Sequence, residues 1–215
     1  MNKHSWNQSL EHYLQQTASE SPTPGGGSTA ALAAALGAAL ATMAGKLSFC
    51  SAEEGCNVPP LELAVEKMTK LRPRFEQLFA EDMEAFETYL EALKLGRTGR
   101  EEEVLRKQAV QLAAIRAVDV PLALMDTCRS GLAIAVSVVE HVRRDVLSDL
   151  GSGILLLETA ALSAQLTADI NLRAIDDPEI RLQYALKTAR LADEITALRN
   201  GAIEDIRCRI ASASI

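Results

Sequence analysis

Hydrophobic residues recur at every third or fourth position along nearly the whole chain, which is the spacing of amphipathic α-helices. No stretch of strand length alternates between apolar and polar residues. Clusters of proline, glycine and asparagine divide the pattern into separate helices. The predicted helices cover residues 5–19, 28–49, 59–95 with a bend at Pro73, 103–118, 121–143, 151–174 and 178–211. The pattern therefore predicts one all-α domain over residues 1–215, built as a multihelical bundle.

The segment 28–49 is the most apolar of these helices and has two distinct faces. Large side chains form one stripe, and small residues form another at every fourth position, where a second backbone can come close. The two stripes are Leu32, Leu36, Leu40, Met43 and Leu47, and Ala33, Gly37, Ala41 and Gly45. A membrane span is the weaker interpretation, because alanine is only weakly lipophilic and the run is short. We expect a buried central helix that is packed on all sides and lies at a subunit interface.

Composition narrows the class of protein. Of the 215 residues, 48% are hydrophobic and only 4% aromatic, so the core must be mostly aliphatic, as in close-packed helices. The formal net charge of −7 argues against nucleic acid as a partner. The opening MNKHSWNQSLEHY lacks the apolar region of a secretory signal, and the four cysteines lack CxxC or metal-site spacing. These features predict a cytoplasmic protein with reduced thiols, no metal site and no membrane partner.

A glycine-rich turn, SPTPGGGST, precedes the 28–49 helix. Gly25, Gly27 and Ala30 fit a G-x-G-x-x-A string, but no strand precedes it, so the dinucleotide-binding interpretation fails. One remaining interpretation is a flexible hinge in which Ser28 caps the helix. The other is a binding site in which bare N–H groups at the positive end of the helix hold an anionic or carbonyl-rich ligand. Composition alone leaves both open.

Asp82 interrupts an apolar helix face. On a helical wheel of residues 71–93 it falls in the middle of the face formed by Phe75, Leu78, Phe79, Phe86, Tyr89 and Leu93. A carboxylate in that position is buried, and is either paired or functional. A structural ion pair and a working carboxylate explain the pattern equally well.

The 151–174 helix carries polar residues on two sides. One side, which we interpret as solvated with an Asp169–Arg173 ion pair, contains Glu158, Gln165, Asp169, Arg173 and Asp176. Thr167 and Asn171 lie on a face of small apolar residues, where a carboxamide either bridges helices or contacts a ligand. Ser148 and Asp149 at the helix mouth are either simple caps or a further part of a site.

The stretch SPTPGGGSTAALAAALGAALATMAGKLS closely resembles the opening of the cyclodeaminase domain of formiminotransferase-cyclodeaminase, a family that includes bacterial methenyltetrahydrofolate cyclohydrolases. Three further blocks agree in order: EDMEAF around Asp82, VPL at 120–122, and SDLGSG to INLRAID between 148 and 176. The resemblance implies an all-helical, homodimeric enzyme of one-carbon metabolism. Its substrate would be a folate, and no cofactor beyond the tetrahydrofolate would be needed.

The resemblance also implies roles for the residues singled out above. Asp82 or Asp149 would be the catalytic carboxylate that stabilises a cationic substrate and carries a proton. The glycine turn of Gly25, Gly26 and Gly27 would let the backbone approach the folate, and Ser28, Ser148 and Asn171 would orient water and pterin. Lys46 and Arg97 are the candidates for meeting the glutamate tail, because they flank these segments on an otherwise acidic surface.

Three functions fit the resemblance. The first is hydrolysis of 5,10-methenyltetrahydrofolate to 10-formyltetrahydrofolate, which the lack of a formiminotransferase domain in the given chain favours. The second closes 5-formiminotetrahydrofolate to the methenyl compound with release of ammonia. The third is a non-catalytic, folate-binding homodimer, motivated by departures from the expected residues. Asp145 and Thr167 stand where asparagine is expected, and Gly96-Arg97 stands where lysine is expected.

Overall fold

The computed structural model describes residues 6–49, 59–96 and 98–212. These residues form six α-helices and no strand, which confirms the all-α prediction. Two short 3₁₀ turns, Val139–His141 and Arg144–Val146, join the fourth helix to the fifth. The helices are α1 Leu10–Thr17, α2 Gly26–Phe49, α3 Pro59–Lys94, α4 Arg100–Val136, α5 Leu147–Leu172 and α6 Pro178–Ala211.

Helices α2, α3, α4 and α5 form an antiparallel four-helix bundle in which each packs on the next and α5 returns to α2. The close approaches fix these directions: Gly27 of α2 lies against Asp82 of α3, whereas Gly45 near the other end of α2 lies against Val65. Helix α6 packs outside this bundle, on α4 and α5. The core between the helices is aliphatic and rich in alanine, as the composition predicts.

The first difference from the sequence prediction is at Pro121. We predicted separate helices over 103–118 and 121–143, but α4 runs through Pro121 without a break and ends at Val136. A proline inside a helix leaves the carbonyl group four residues earlier without its usual donor. Here that carbonyl group belongs to Ala117, and the side-chain Nδ2 of Asn171 in α5 donates to it at 2.7 Å. Because a neighbouring helix replaces the missing hydrogen bond, α4 can continue.

Helix α2 is buried on its small-residue face and exposed along much of its leucine stripe. Gly37 meets Gly153 of α5 backbone to backbone: a Cβ atom at residue 37 would lie 2.7 Å from the Gly153 carbonyl oxygen. Leu36 is 55% exposed, and Met43 and Leu47 are also exposed. The small-residue groove therefore packs against α5 of the same chain, and the prediction that α2 is packed on all sides is wrong within one chain.

The predicted solvated side of α5 is also wrong at one position. Glu158 is buried, and its Oε2 accepts a hydrogen bond from Nε of Arg199 in α6 at 2.8 Å. Asp169 and Arg173 are exposed and form no ion pair within the described part of the chain. The helical wheel missed Glu158 because α6 covers this part of α5, and a wheel shows no neighbouring helix.

Three helical segments, Gly26–Phe49, Arg100–Val136 and Arg144–Leu172, are long and apolar enough to cross a membrane by length and composition alone. In the most apolar 18-residue window of each segment, the share buried inside the fold is 50%, 44% and 56%, in chain order. The small apolar side chains of these segments are therefore used for packing between helices.

The glycine contact between α2 and α5 gives a stability prediction. Gly37→Ala places a methyl group against a backbone carbonyl that cannot rotate away, so we expect a loss of about 1–3 kcal/mol in the free energy of unfolding. Gly201→Ala in α6 is the matched control, because a Cβ atom there meets no heavy atom within 4 Å. The control should gain up to about 1 kcal/mol from helix propensity. Urea unfolding of both variants tests this, and equal stability changes would contradict the proposed contact.

Candidate functional site

A cavity of about 920 Å³ opens where the first turns of α2 meet the second half of α5. This volume lies within the range of small-molecule sites, about 300–1,000 Å³. The walls come from the α1–α2 connection, α2, the middle of α3, one residue of α4, and α5. The lining residues are Thr17, Ser21–Gly27, Thr29, Ala30, Ala33, Asp82, Ala85, Phe86, Ala117, Thr159, Ala160, Ser163, Leu166, Thr167, Ile170 and Asn171.

Helix α2 begins inside this cavity, at Gly26. The hydroxyl group of Ser28 accepts from the Gly25 N–H at 3.0 Å and donates to the Gly25 carbonyl at 3.1 Å. Ser28 is therefore the third residue of the helix and half of a capping box, so the prediction that it is the N-cap is wrong. Within the described chain, the N–H groups of Gly26 and Gly27 have no acceptor, which leaves them free to bind a ligand at the positive helix end.

Gly27 allows the Asp82 carboxylate to approach the first turn of α2. A Cβ atom at residue 27 would lie 2.0 Å from Asp82 Oδ1 and 2.5 Å from its Cγ. No side chain other than hydrogen fits in that space. The absence of a side chain at residue 27 is therefore what lets a carboxylate from α3 meet the N-terminus of α2.

The pKa of Asp82 is raised to about 6, chiefly because burial penalises the charged carboxylate. The Ser28 backbone N–H near the carboxylate works in the opposite direction and lowers this pKa. Asp82 forms no ion pair within the described chain, whereas the adjacent Glu81 pairs with Arg74 and Arg116. The structure therefore favours a working carboxylate over a structural ion pair at Asp82.

Asn171 connects the cavity to α4. One N–H of its Nδ2 donates to the Ala117 carbonyl group freed by Pro121, which leaves the second N–H as a donor and Oδ1 as an acceptor for a ligand. The two interpretations from the sequence, a helix bridge and a ligand contact, are therefore compatible. The hydrogen bond to the Ala117 carbonyl group holds the Asn171 side chain in one orientation at the cavity wall.

Thr167, which the sequence had placed on the same face as Asn171, belongs to a row of hydroxyl groups on α5 whose other members, Thr159 and Ser163, were not predicted. Thr159, Ser163 and Thr167 line the cavity at four-residue spacing, which places them on one helix face. Ser163 donates to the Thr159 carbonyl at 2.8 Å, and Thr167 donates to the Ser163 carbonyl at 3.3 Å. Because these protons are used within the helix, the oxygens face a ligand as acceptors. The i, i+4, i+8 spacing in an alanine-rich helix was the signal in the sequence.

The structure brings only part of the predicted site together. Gly25, Gly26, Gly27, Asp82 and Asn171 line the cavity, as does Thr167, one of the departures. The Ser28 hydroxyl group is fully buried in the turn and does not line the cavity. Asp145, another departure, is exposed and paired with Arg143, which lowers its pKa.

Lys46, Ser148 and Asp149 lie at the opposite end of the α2–α5 pair. At about 1.5 Å per residue, Asp149 is roughly 27 Å along α5 from Thr167, and Lys46 is roughly 30 Å along α2 from Gly26. One chain therefore cannot bring these three residues to the Asp82 cavity, because the helices between are continuous. Arg97 lies outside the described residues.

A mostly apolar cavity with one half-buried carboxylate at a helix N-terminus is typical of a helical enzyme that acts on a small molecule. The family model for formiminotransferase-cyclodeaminase matches residues 9–190. The chain belongs to this family.

Individual relatives agree with this assignment. The methenyltetrahydrofolate cyclohydrolase of Methylorubrum extorquens is 31% identical over 204 residues, which cover 95% of this chain and 98% of that protein. The formimidoyltransferase-cyclodeaminase of Gallus gallus is 31% identical over 192 residues, 86% of this chain but 34% of the longer relative. A solved formiminotetrahydrofolate cyclodeaminase from Thermotoga maritima shares the fold, with a TM-score of 0.78 at 23% identity over 97% of this chain and 98% of that chain.

The contact between Gly27 and Asp82 gives a prediction for the site. Gly27→Ala should leave the fold intact, because the Asp82 side chain can rotate away, but the displaced carboxylate should lower turnover on the order of 100-fold. Gly201→Ala in α6 is the control, since it also adds a methyl group to a helical glycine but lies outside the cavity lining and meets no heavy atom within 4 Å. Steady-state kinetics and melting curves compare the two. Equal turnover in both variants would show that the position of Asp82 is unimportant.

Proposed function

We propose that this protein hydrolyses 5,10-methenyltetrahydrofolate to 10-formyltetrahydrofolate. The observation that carries the proposal is the isolated Asp82 carboxylate, the only ionisable side chain among the described residues that line the cavity. The methenyl substrate carries a delocalised cation, and a desolvated carboxylate is the group that stabilises such a charge. The name of the Methylorubrum extorquens relative supports the same reaction.

Asp82 has the pKa that this reaction requires. Water adds to the cationic carbon and loses a proton, and the ring nitrogen that then departs must gain one. A carboxyl group with a pKa of about 6 is mostly ionised at pH 7, so it accepts the first proton and can return it to the nitrogen. The second proton of the water is released as the formyl carbonyl forms, which balances the hydrolysis.

The remaining cavity groups suit the neutral parts of a folate. The free N–H groups of Gly26 and Gly27 are donors, whereas Ser163, Thr167 and the Asn171 Oδ1 are acceptors. A pterin ring presents both kinds of group along its edge. The apolar side chains around Phe86 and Leu166 provide the contact surface for the ring faces.

The proposal includes three further expectations. The reaction needs no cofactor beyond the tetrahydrofolate substrate, because Asp82 supplies both the charge and the proton. The protein acts in the cytoplasm, where folate and reduced thiols such as that of Cys208 coexist. Residues 1–215 act as one domain.

The alternative reaction closes 5-formiminotetrahydrofolate to the methenyl compound with release of ammonia. The names of the Gallus gallus relative and the Thermotoga maritima structure favour it. The same carboxylate serves this reaction, because the cation forms as ammonia leaves and a proton must move between nitrogens.

The methenyl absorbance separates the two reactions, because hydrolysis consumes this chromophore and the deaminase reaction produces it. We expect the wild-type protein to consume it, and Asp82→Asn to lower the rate by roughly 10²–10⁴-fold. A protein that binds folate but turns over neither substrate would instead be the non-catalytic homodimer.

The stability of Asp82→Asn provides the control. The pKa of Asp82 is raised in the folded protein, so ionisation costs stability as pH increases from 3.8 through about 6. The variant should therefore melt at or above the wild-type temperature at pH 8. A variant that melts lower while keeping wild-type turnover would make Asp82 a structural residue.

We also propose a homodimer in which a second copy covers the α2/α5 face, defined as the exposed residues Leu36, Met43, Leu155, Leu162 and Leu166. Exposed apolar side chains on adjacent helices mark an interaction surface. The cavity opens in this face, since Leu166 belongs to both. A two-fold axis perpendicular to α2 would bring the opposite end of the partner's α2–α5 pair towards the mouth of the cavity. There the partner's Lys46 would supply a cation for the folate carboxylates, with the partner's Ser148 and the partner's Asp149 beside it.

Charge substitutions test the dimer. Leu36→Glu should dissociate it and lower activity, whereas Leu182→Glu in α6 should do neither, although Leu182 is similarly exposed at 59% against 55%. Sedimentation at micromolar concentration measures the assembly. A wild-type monomer with full activity would rule the dimer out. Solubility that depends on detergent would indicate that a membrane, and not a second copy, covers the α2/α5 face.

A further inference from the structure

The N-terminal arm, defined as residues 6–24, forms one wall of the cavity. Thr17 and the connection from Ser21 to Pro24 face the space between α2 and α5. The arm meets the bundle through two aromatic rings on Phe79 of α3. Trp6 packs edge-on, with ring centroids 5.1 Å apart and planes at 87°, and the Tyr13 ring lies 5.6 Å away. The position of this wall therefore depends on the contacts that fix the N-terminal arm to the bundle.

Tyr13 also makes a directional contact with the first turn of α2. Its hydroxyl oxygen is 2.9 Å from Thr29 Oγ1, and Thr29 Oγ1 lies 2.7 Å from the Gly25 carbonyl oxygen, which can only accept. The single hydroxyl proton of Thr29 is used in that second bond, so Tyr13 is the donor in the first. Tyr13 is 4% exposed, so water cannot easily replace this partner.

Tyr13 therefore contacts both elements that form the site. Its hydroxyl group is bonded to Thr29, which holds the Gly25 carbonyl at the start of α2. Its ring packs on Phe79, which precedes Asp82 by three residues on the same side of α3. The arm is therefore fixed at two points, one on each element.

We propose that Tyr13 is a positioning residue that fixes the N-terminal arm to α2 and α3 and so holds the arm as the substrate-binding wall of the cavity. The identity of the substrate rests on the proposed function, but the positioning role does not. Tyr13 does not line the cavity and is no catalytic residue. Its loss should weaken substrate binding while the chemistry at Asp82 continues.

Tyr13→Phe keeps the ring on Phe79 and removes only the hydroxyl group. We expect KM for the folate substrate to rise roughly 2- to 12-fold, which corresponds to the loss of one neutral hydrogen bond, with kcat within about twofold. Tyr184→Phe is the matched control, because it removes a comparable hydrogen bond, 2.7 Å to Asp119, from residues outside the cavity lining. The control should leave KM unchanged. Equal KM values for the two variants would overturn the proposal.

Thr29→Val removes the other partner of the same bond, and it replaces Tyr13→Phe if that variant fails to fold. Thr29 itself lines the cavity, so the double variant is needed to separate a direct contact from positioning. If Tyr13 acts through Thr29, the double variant should show the KM of a single variant. If the KM increases of the two single variants multiply in the double variant, Tyr13 does not act through Thr29 and the proposed positioning is wrong.

The single tryptophan of the chain, Trp6, reports on the arm without any substrate. Tyr13→Phe should shift Trp6 emission to longer wavelength, because an arm without its hydrogen bond to α2 exposes the Trp6 indole to water more often. Tyr184→Phe should leave the emission unchanged. The fluorescence measurement tests the role of Tyr13 even if the protein turns over neither folate. Absence of turnover would contradict the proposed function but not the positioning role of Tyr13. Unchanged emission in Tyr13→Phe would show that the hydroxyl group does not hold the arm.

Discussion

A methyl group at residue 27 would lie 2.0 Å from Oδ1 of Asp82, so the carboxylate reaches the first turn of α2 only because residue 27 is glycine. This approach determines the chemistry of the cavity. It removes water from the carboxylate, which raises its pKa to about 6, and places it at the positive N-terminal end of α2. The glycine turn is thus the surface against which the carboxylate packs.

The other close contacts of the bundle keep that approach in place. Gly37 and Gly153 let α2 and α5 meet backbone to backbone, which holds the cavity wall of α5 against the first turns of α2. Asn171 bonds the carbonyl group freed by Pro121 and joins α5 to α4 at the same end. Tyr13 and Phe79 add the N-terminal arm. Each contact uses a residue that is unusual for its helix: a glycine, a proline, an amide or a buried phenol.

The periodicity of the sequence was sufficient to predict the all-α class, because helix spacing is a local property of the chain. It also placed Asp82 on an apolar face, and in the structure Asp82 is half-buried at the cavity wall with a raised pKa. The predictions failed where a second helix decides the outcome. The predicted break at Pro121 is wrong because Asn171 supplies the missing hydrogen bond. The predicted exposure of Glu158 is wrong because α6 covers this side chain.

The small-residue stripe of α2 illustrates the same limit for the site. A stripe containing Gly37 predicts close packing, but it does not say whether the second backbone belongs to the same chain or to another. The structure assigns that role to α5, so the exposed leucine stripe becomes the surface proposed for a second copy. Ser148 and Asp149 could not be placed from the sequence for a similar reason, since their distance from Asp82 depends on which ends of the helices meet.

The pKa of Asp82 can be measured by NMR. In protein labelled with ¹³C at the aspartate carboxyl carbons, the Asp82 signal is identified by its loss in Asp82→Asn and followed as a function of pH. We expect a midpoint of about 6 in the wild-type protein, because burial against the first turn of α2 penalises the charge. In Gly27→Ala the midpoint should fall towards 3.8 as the carboxylate turns to water. A wild-type midpoint near 3.8 would show that the carboxylate is solvated and does not pack against the first turn of α2.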